Sequence, residues 1–249
     1  MPPTPKLAGW IDPAKLAPIF RQHGRLHLPE VFETAFAKTL GSALADLDRW
    51  ERTLMLDGTV YDATLESLAE APPDARPMIE ALLAKGAAKD FQFEFDNYRL
   101  SDLLEAGMRR GGALQPLEAV YDDLNSETFL RFIRALTGDQ RAAYCDAQAT
   151  RYRAGHFLNT HDDEVPGKGR LFAYVLNMTP VWRTDWGGLL LFQDADGHVS
   201  EGYTPRFNAL NIFRVPQQHC VSQVASYVST PRLAITGWIR TAEGRPKPG

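Results

Sequence analysis

The chain has 249 residues, 44% of them hydrophobic, which is enough for one large core or two small ones, and one principal domain is expected. Its 27 Lys and Arg against 31 Asp and Glu leave a formal net charge of −4, with no dense basic run of the kind that grips a phosphate backbone, so nucleic acid is a disfavoured partner. No apolar stretch approaches the ~20 residues that span a bilayer, no signal-peptide core opens the chain, and two cysteines, Cys145 and Cys220, are too few for a disulfide framework; the expectation is a soluble, cytoplasmic chain with reduced thiols and no membrane partner.

In chain order, "IDPAKLAPIF" starts a short helix, with Asp12 as its cap and Pro13 in its first turn. A strand-like "GRLHLPEVF" leads into "PEVFETAFAKTLGSAL", where Val31, Phe32, Phe36 and Leu40 have helical spacing. "DARPMIEALLAKGA" predicts another helix, and "DFQFEFDNY" alternates Phe91, Phe93 and Phe95 with polar residues as a strand does. "NSETFLRFIRALTGD" carries a Ser126 cap and a Gly138 stop.

From about Ala142 the pattern changes to short strands between turn residues: "YCDAQATRYRAG", "FLNTHDD", "GRLFAYVLNMT", "GGLLLFQ", "FNALNIFRV", "HCVSQVAS" and "RLAITGWIR". This predicts an α+β, mainly β fold: a double-stranded β-helix, or jelly roll, with the N-terminal helices packed against one sheet. Residues 1–141 are expected to form a helix and strand support region of the same domain, 142–240 the jelly-roll core, and 241–249 a flexible tail.

The densest chemistry lies in "LNTHDDEV". If residues 156–163 are extended, His161 and Asp163 share one face and Asp162 takes the other. One face then offers an imidazole and a carboxylate to a divalent metal, although the same pair alone could be a surface ion pair. Of the six histidines the best third ligand is His219, in "VPQQHCVSQV". Two histidines and a carboxylate make the facial triad of non-haem Fe(II), which leaves ~3 positions open. Arg232 opens the otherwise apolar strand "RLAITGWIR" and needs an anionic partner; Ala234, Thr236 and Trp238 share its face, an arrangement that suits a short dicarboxylate. The loop "TPVWRTDWGG" sets Trp182 and Trp186 four residues apart, either as a peptide-contacting lid or packed onto the sheet edge, with Gly187 and Gly188 allowing close backbone approach. Among the remaining histidines only His156 is near enough to line the entrance.

With these residues in place, the chain resembles the iron(II)- and 2-oxoglutarate-dependent dioxygenases, through His161-Asp162-Asp163, the distal His219, and Arg232 with Thr236. Its nearest branch looks like the prolyl hydroxylases. "RYRAGHFLNTHDD" resembles their entrance strand, "RLAITGWIR" the final arginine strand of the hypoxia-sensing enzymes, and "HDDEVPGKGRLFAYVLNMTPVWRTDWGGLLLFQDADG" the ribosomal-protein prolyl hydroxylases. The resemblance implies hydroxylation of a prolyl residue in a protein or peptide, with succinate and CO2 as co-products, and Fe(II), 2-oxoglutarate and O2 as cofactors, with ascorbate as a stimulant. It implies iron on His161, Asp163 and His219, and 2-oxoglutarate on Arg232, supported by Thr236 and hydrogen-bonded by Tyr152. Two departures are visible. Val175 stands where the hypoxia-sensing enzymes have a tyrosine, with Tyr174 facing the other way, and the second jelly roll of the ribosomal-protein enzymes is not in this sequence. The competing readings are the same chemistry on a free amino acid or other small molecule, and a non-catalytic jelly-roll binding module.

Overall fold

The computed structural model describes residues 3–245. The chain runs α1 (Pro13–His23), β1 (Arg25–Leu28), α2 (Thr34–Ala45), β2 (Glu51–Leu56), β3 (Thr59–Thr64), α3 (Leu65–Ala69), α4 (Ala75–Ala87), β4 (Phe93–Tyr98), α5 (Leu100–Glu105), α6 (Gln115–Leu124) and α7 (Glu127–Thr137). The β-rich half follows: β5 (Tyr144–Cys145), β6 (Gln148–Tyr152), β7 (Phe157–His161), β8 (Arg170–Asn177), β9 (Leu190–Gln193), β10 (Val199–Tyr203), β11 (Ala209–Arg214), β12 (His219–Val221) and β13 (Arg232–Arg240). The helix signals act as expected. Asp12 accepts from the Ala14 amide, Ser126 Oγ accepts from the Phe129 amide, and Gly138 closes α7 at φ 77°. Helix α2 starts only at Thr34, so Val31 and Phe32 are buried in the approach to the helix rather than on it.

The strands form an antiparallel path in the order β1-β11-β8-β13-β6-β4-β7-β12-β9-β10, with β2, β3 and β5 attached beside it. It curls into a jelly roll until its two end strands meet. There Arg25 of β1 pairs with Glu201 of β10 and donates to Ser200 Oγ at 3.1 Å, so side chains close the seam where no backbone ladder does. The central strands are buried on both faces, which is why β8 reads as a continuous apolar run. Phe172, Tyr174 and Leu176 join the core under the helices, while Ala173 and Val175 face the inside of the roll with Phe192, Phe213 and Ala234.

Two features add to the expected division of the chain. The first half does more than support the roll: β1 pairs with β11, and β4 lies between β6 and β7. The stretch expected to be a flexible tail from Thr241 begins instead with a 3-10 turn, Ala242–Gly244. Thr241 N–H donates to Gly169 O, and Gly244 packs so closely that a Cβ there would lie 2.3 Å from Lys168 O, which fixes the turn. Residues 246–249 of that expectation lie outside the described residues.

Candidate metal and cosubstrate site

Strands β7 and β12 are antiparallel neighbours that bring His161 directly opposite His219, with ring centroids 4.1 Å apart. Each ring hydrogen-bonds through Nδ1 to the carbonyl two residues earlier, His161 to Asn159 O and His219 to Gln217 O, both at 2.8 Å. In the neutral ring that bond places the proton on Nδ1 and leaves the Nε2 lone pair free. Asp163 arrives by a different route from the one expected. The strand ends at His161, and Asp163 adopts a left-handed conformation at φ 66°, which swings its carboxylate back between the two rings. Its Oδ1 and Oδ2 lie 3.4 Å from His161 Nε2 and His219 Nε2. The donor atoms all fall within 4.8 Å of one another, a spacing that a single divalent cation can bridge.

The electrostatics suit such a cation. Burial, reinforced by His161, pushes the His219 imidazole down to about 4, so it stays neutral and able to ligate. Burial pushes the Asp163 carboxyl up, but its neighbours His161, His219 and Arg170 together hold it below the usual carboxylate range. The triad thus offers one carboxylate and two imidazole nitrogens.

Arg232 starts β13 opposite Tyr152 of β6 and is 2% exposed, yet its Nε and Nη1 have no hydrogen-bond partner. Its guanidinium carbon lies 5.1 Å from the Tyr152 ring centroid, and Gly188 packs beside it, where a Cβ would lie 3.2 Å from Trp182 Cζ2 and Val224 Cγ2. A guanidinium remains charged even when burial lowers its pKa. An orphaned buried cation beside three convergent metal donors fits a metal plus a short dicarboxylate. Tyr152, His161, Asp163, His219, Arg232 and Thr236 all line one cavity of about 550 Å³.

Residues 147–240 match the 2OG-Fe(II) oxygenase superfamily. Over this segment the chain is similar to a 2OG-Fe(II) oxygenase domain. The chemistry of such a domain draws on Fe(II), 2-oxoglutarate and O2. The chain is 33% identical over 119 residues to prolyl 3-hydroxylase OGFOD1 of Mus musculus, covering 45% of this chain and 21% of that protein. It therefore spans about a fifth of the length of that relative. Among solved structures it resembles a Trichoplax adhaerens prolyl hydroxylase in complex with a hypoxia inducible factor peptide fragment, with a TM-score of 0.59 and 14% identity over 93% of this chain and 90% of the other. It also resembles a Pseudomonas putida prolyl-4-hydroxylase, with a TM-score of 0.56 and 15% identity over 92% of this chain and 98% of the other. These two likenesses establish the fold.

Other expectations about the site divide. Tyr152 stacks on Phe95 with centroids 5.2 Å apart. Val175 lines the cavity, while the Tyr174 hydroxyl turns away and donates to Asp146 O at 2.7 Å. Of the two readings of Trp182 and Trp186, packing is what the fold adopts. Their rings meet edge to face against the Tyr152, Val221 and Val224 cluster, and Trp182 Nε1 donates to Gly187 O. Gly187 approaches so closely that a Cβ would lie 2.0 Å from Gln223 O. His156 does not line the entrance; it is buried among Arg52, Asp96 and Arg153 outside the roll.

Arg170 escaped the sequence reading. Its Nη1 donates to the Asp163 carbonyl at 2.9 Å, and its guanidinium lies 3.5 Å from the Trp238 ring centroid at the cavity wall. The signal was the one that singled out Arg232, an arginine opening an apolar strand. The β2–β3 hairpin, whose Val60 also reaches the cavity, was announced by Asp57-Gly58, both at positive φ as a two-residue hairpin turn requires.

Proposed function

We propose that this protein hydroxylates a prolyl residue of a protein or peptide, with 2-oxoglutarate and O2 converted to succinate and CO2. The observation that carries this reading is the pairing, in one cavity, of three convergent metal donors with a buried guanidinium that has no partner. The name of the mouse relative and the two prolyl hydroxylase neighbours support the prolyl substrate.

In this reading His161, Asp163 and His219 hold Fe(II), and Arg232 grips the distal carboxylate of 2-oxoglutarate through its fork of N–H donors. Thr236, on the same face of β13, adds a hydroxyl to that carboxylate. The Tyr152 phenol hydrogen-bonds the cosubstrate, and burial keeps it protonated well above its ordinary range, so it acts as a donor. The bound iron, cosubstrate and O2 supply the oxidising power, one oxygen atom entering the substrate C–H bond as hydroxyl and the other entering succinate. Phe91, Phe93 and Phe95 line the cavity wall, where their rings exclude water and offer an apolar surface to a pyrrolidine ring. Arg170 braces the backbone of Asp163.

A reducing compartment such as the cytoplasm suits Cys145 and Cys220, both free thiols. No helix of the described residues is long and apolar enough to cross a membrane. The test is to incubate the iron-loaded protein with 2-oxoglutarate and a panel of proline-containing peptides and proteins. Succinate release coupled to a mass gain of one oxygen on proline is expected. Oxidation of another side chain, or turnover stimulated only by a small molecule, overturns the prolyl assignment while leaving the oxygenase chemistry in place.

A further inference from the structure

Asn159 joins the strand that carries His161 to the end of a helix more than sixty residues earlier in the chain. It lies where β7 is bulged: His161 faces His219 and Leu158 faces Val221, so three residue steps on β7 match two on β12. A bulge leaves backbone groups without ladder partners, and a helix C-terminus leaves free carbonyls. Asn159 answers both needs. Its side-chain amide donates to Ala87 O at 3.2 Å and Asp90 O at 3.3 Å, at the end of α4, and its backbone N–H donates to Gln92 O at 3.0 Å. Its own carbonyl then accepts the 2.8 Å hydrogen bond from His161 Nδ1. The same helix-end segment carries Phe91, whose ring centroid lies 5.3 Å from that of His161.

We propose that Asn159 is a positioning residue for His161: by pinning the bulge to the end of α4 it fixes the carbonyl that orients the imidazole, and so sets the metal affinity of the triad. This rests on the assignment of His161 as a metal ligand. Of the two histidines, only His161 is held this way. The corresponding carbonyl for His219 belongs to Gln217, whose amide makes a 3.4 Å contact to Asp162 O within the same rim and whose side-chain Oε1 has no partner. The two rings thus have matching local hydrogen bonds but different anchorage, and the α4 contact is the distinguishing one. Hydrogen bonds behind a metal-bound histidine hold its ring orientation and basicity, and their loss costs about 10- to 100-fold in metal affinity.

The experiment is Co(II) binding to the apoprotein, followed by visible absorption, for the wild type, Asn159→Ala, Asn159→Asp and His161→Ala, with apoprotein thermal melts in parallel. Asn159→Asp keeps the shape of the side chain but cannot donate to the Ala87 and Asp90 carbonyls, so it decides the matter if Asn159→Ala does not fold. The expected result is Co(II) affinity about 10- to 100-fold weaker in both Asn159 variants, with a shifted ligand-field band at saturation that a purely structural role would not produce. Wild-type affinity and an unshifted band in a folded Asn159 variant overturn the proposal. Wild-type protein that binds no Co(II), or His161→Ala that binds as well as wild type, overturns instead the assignment of the metal site on which it rests.

Discussion

The two faces of β4 and β6 treat buried arginines in opposite ways. On the outer face Asp96, fully buried, accepts from Arg52 Nε at 2.6 Å and Arg151 Nε at 2.9 Å and lies 3.1 Å from Arg153 Nε, while Arg52 also pairs with Glu94. On the inner face Phe95 and Tyr152, next to these charges in sequence, stack beside Arg232, which has no anion partner among the described residues. The outer cluster is complete within the chain, and burial of its charges is offset by pairing. The inner one has no such pairing, an arrangement that a bound anion would complete, because an unpaired buried charge is costly. Partner count, more than burial, separates the outer arginines from Arg232.

The sharpest break in this contrast comes from Asp96→Ala, which strands Arg52 and Arg151 without their shared carboxylate. A loss of about 3–5 kcal/mol in folding stability is expected in urea unfolding, or no soluble protein at all. A loss below about 1 kcal/mol, the scale of a surface pair, would show that the outer cluster is not the closed structural unit described. Arg232→Met should behave in reverse. With no internal partner to abandon, the apoprotein should melt at or above the wild-type temperature, while 2-oxoglutarate affinity measured by calorimetry falls by about 2 kcal/mol, roughly 30-fold. Unchanged 2-oxoglutarate affinity would place the dicarboxylate elsewhere.

Acid should probe the outer cluster next. Burial, with the charges of Arg52 and Arg153, pushes the His156 imidazole from 6.5 down to about 3, against the opposing pull of Asp96. Because the folded value lies below the unfolded one, the unfolded chain takes up the proton first. Stability from this group is full above pH 6.5 and drains as pH falls toward 3. Between pH 7 and 5 the wild type should lose about 2 kcal/mol by this route, and His156→Gln should lose correspondingly less. Equal pH slopes in the two proteins would remove His156 from the account. The smallest effect belongs to Thr236→Val, which deletes one neutral hydroxyl from the inner face. It should weaken 2-oxoglutarate binding by about 1 kcal/mol with little change in melting temperature, and a change confined to melting temperature would make Thr236 a packing residue only.

Much of the site was legible before the fold was known, because its residues are chemically conspicuous where they stand. An arginine at the head of "RLAITGWIR" and the acids beside a histidine in "LNTHDDEV" violate the apolar pattern around them. Asp163 reaches the two histidines by a route that its spacing does not show. Extended alternation would have put His161 and Asp163 on one face, yet the strand stops at His161 and a left-handed residue does the work, a backbone state that sequence spacing does not reveal. Arg170 and Asn159 were missed for a different reason. Their roles depend on Asp163, Ala87 and Asp90, contacts made only when a loop and a helix end reach the strand.

The sequence by itself determined the local matters: the helix caps at Asp12 and Ser126, the stop at Gly138, the two-sided burial of β8, and which side chains are of a type able to ligate a metal or pair with an anion. Periodicity and side-chain type are local properties, so they survive without a fold. Only the tertiary structure decided that β4 enters the roll between β6 and β7, that Arg25 and Glu201 close the seam, and that His156 turns outward while Tyr152 turns in. These are pairings between segments far apart in the chain, selected by the joint burial and mutual satisfaction of groups that no single stretch contains.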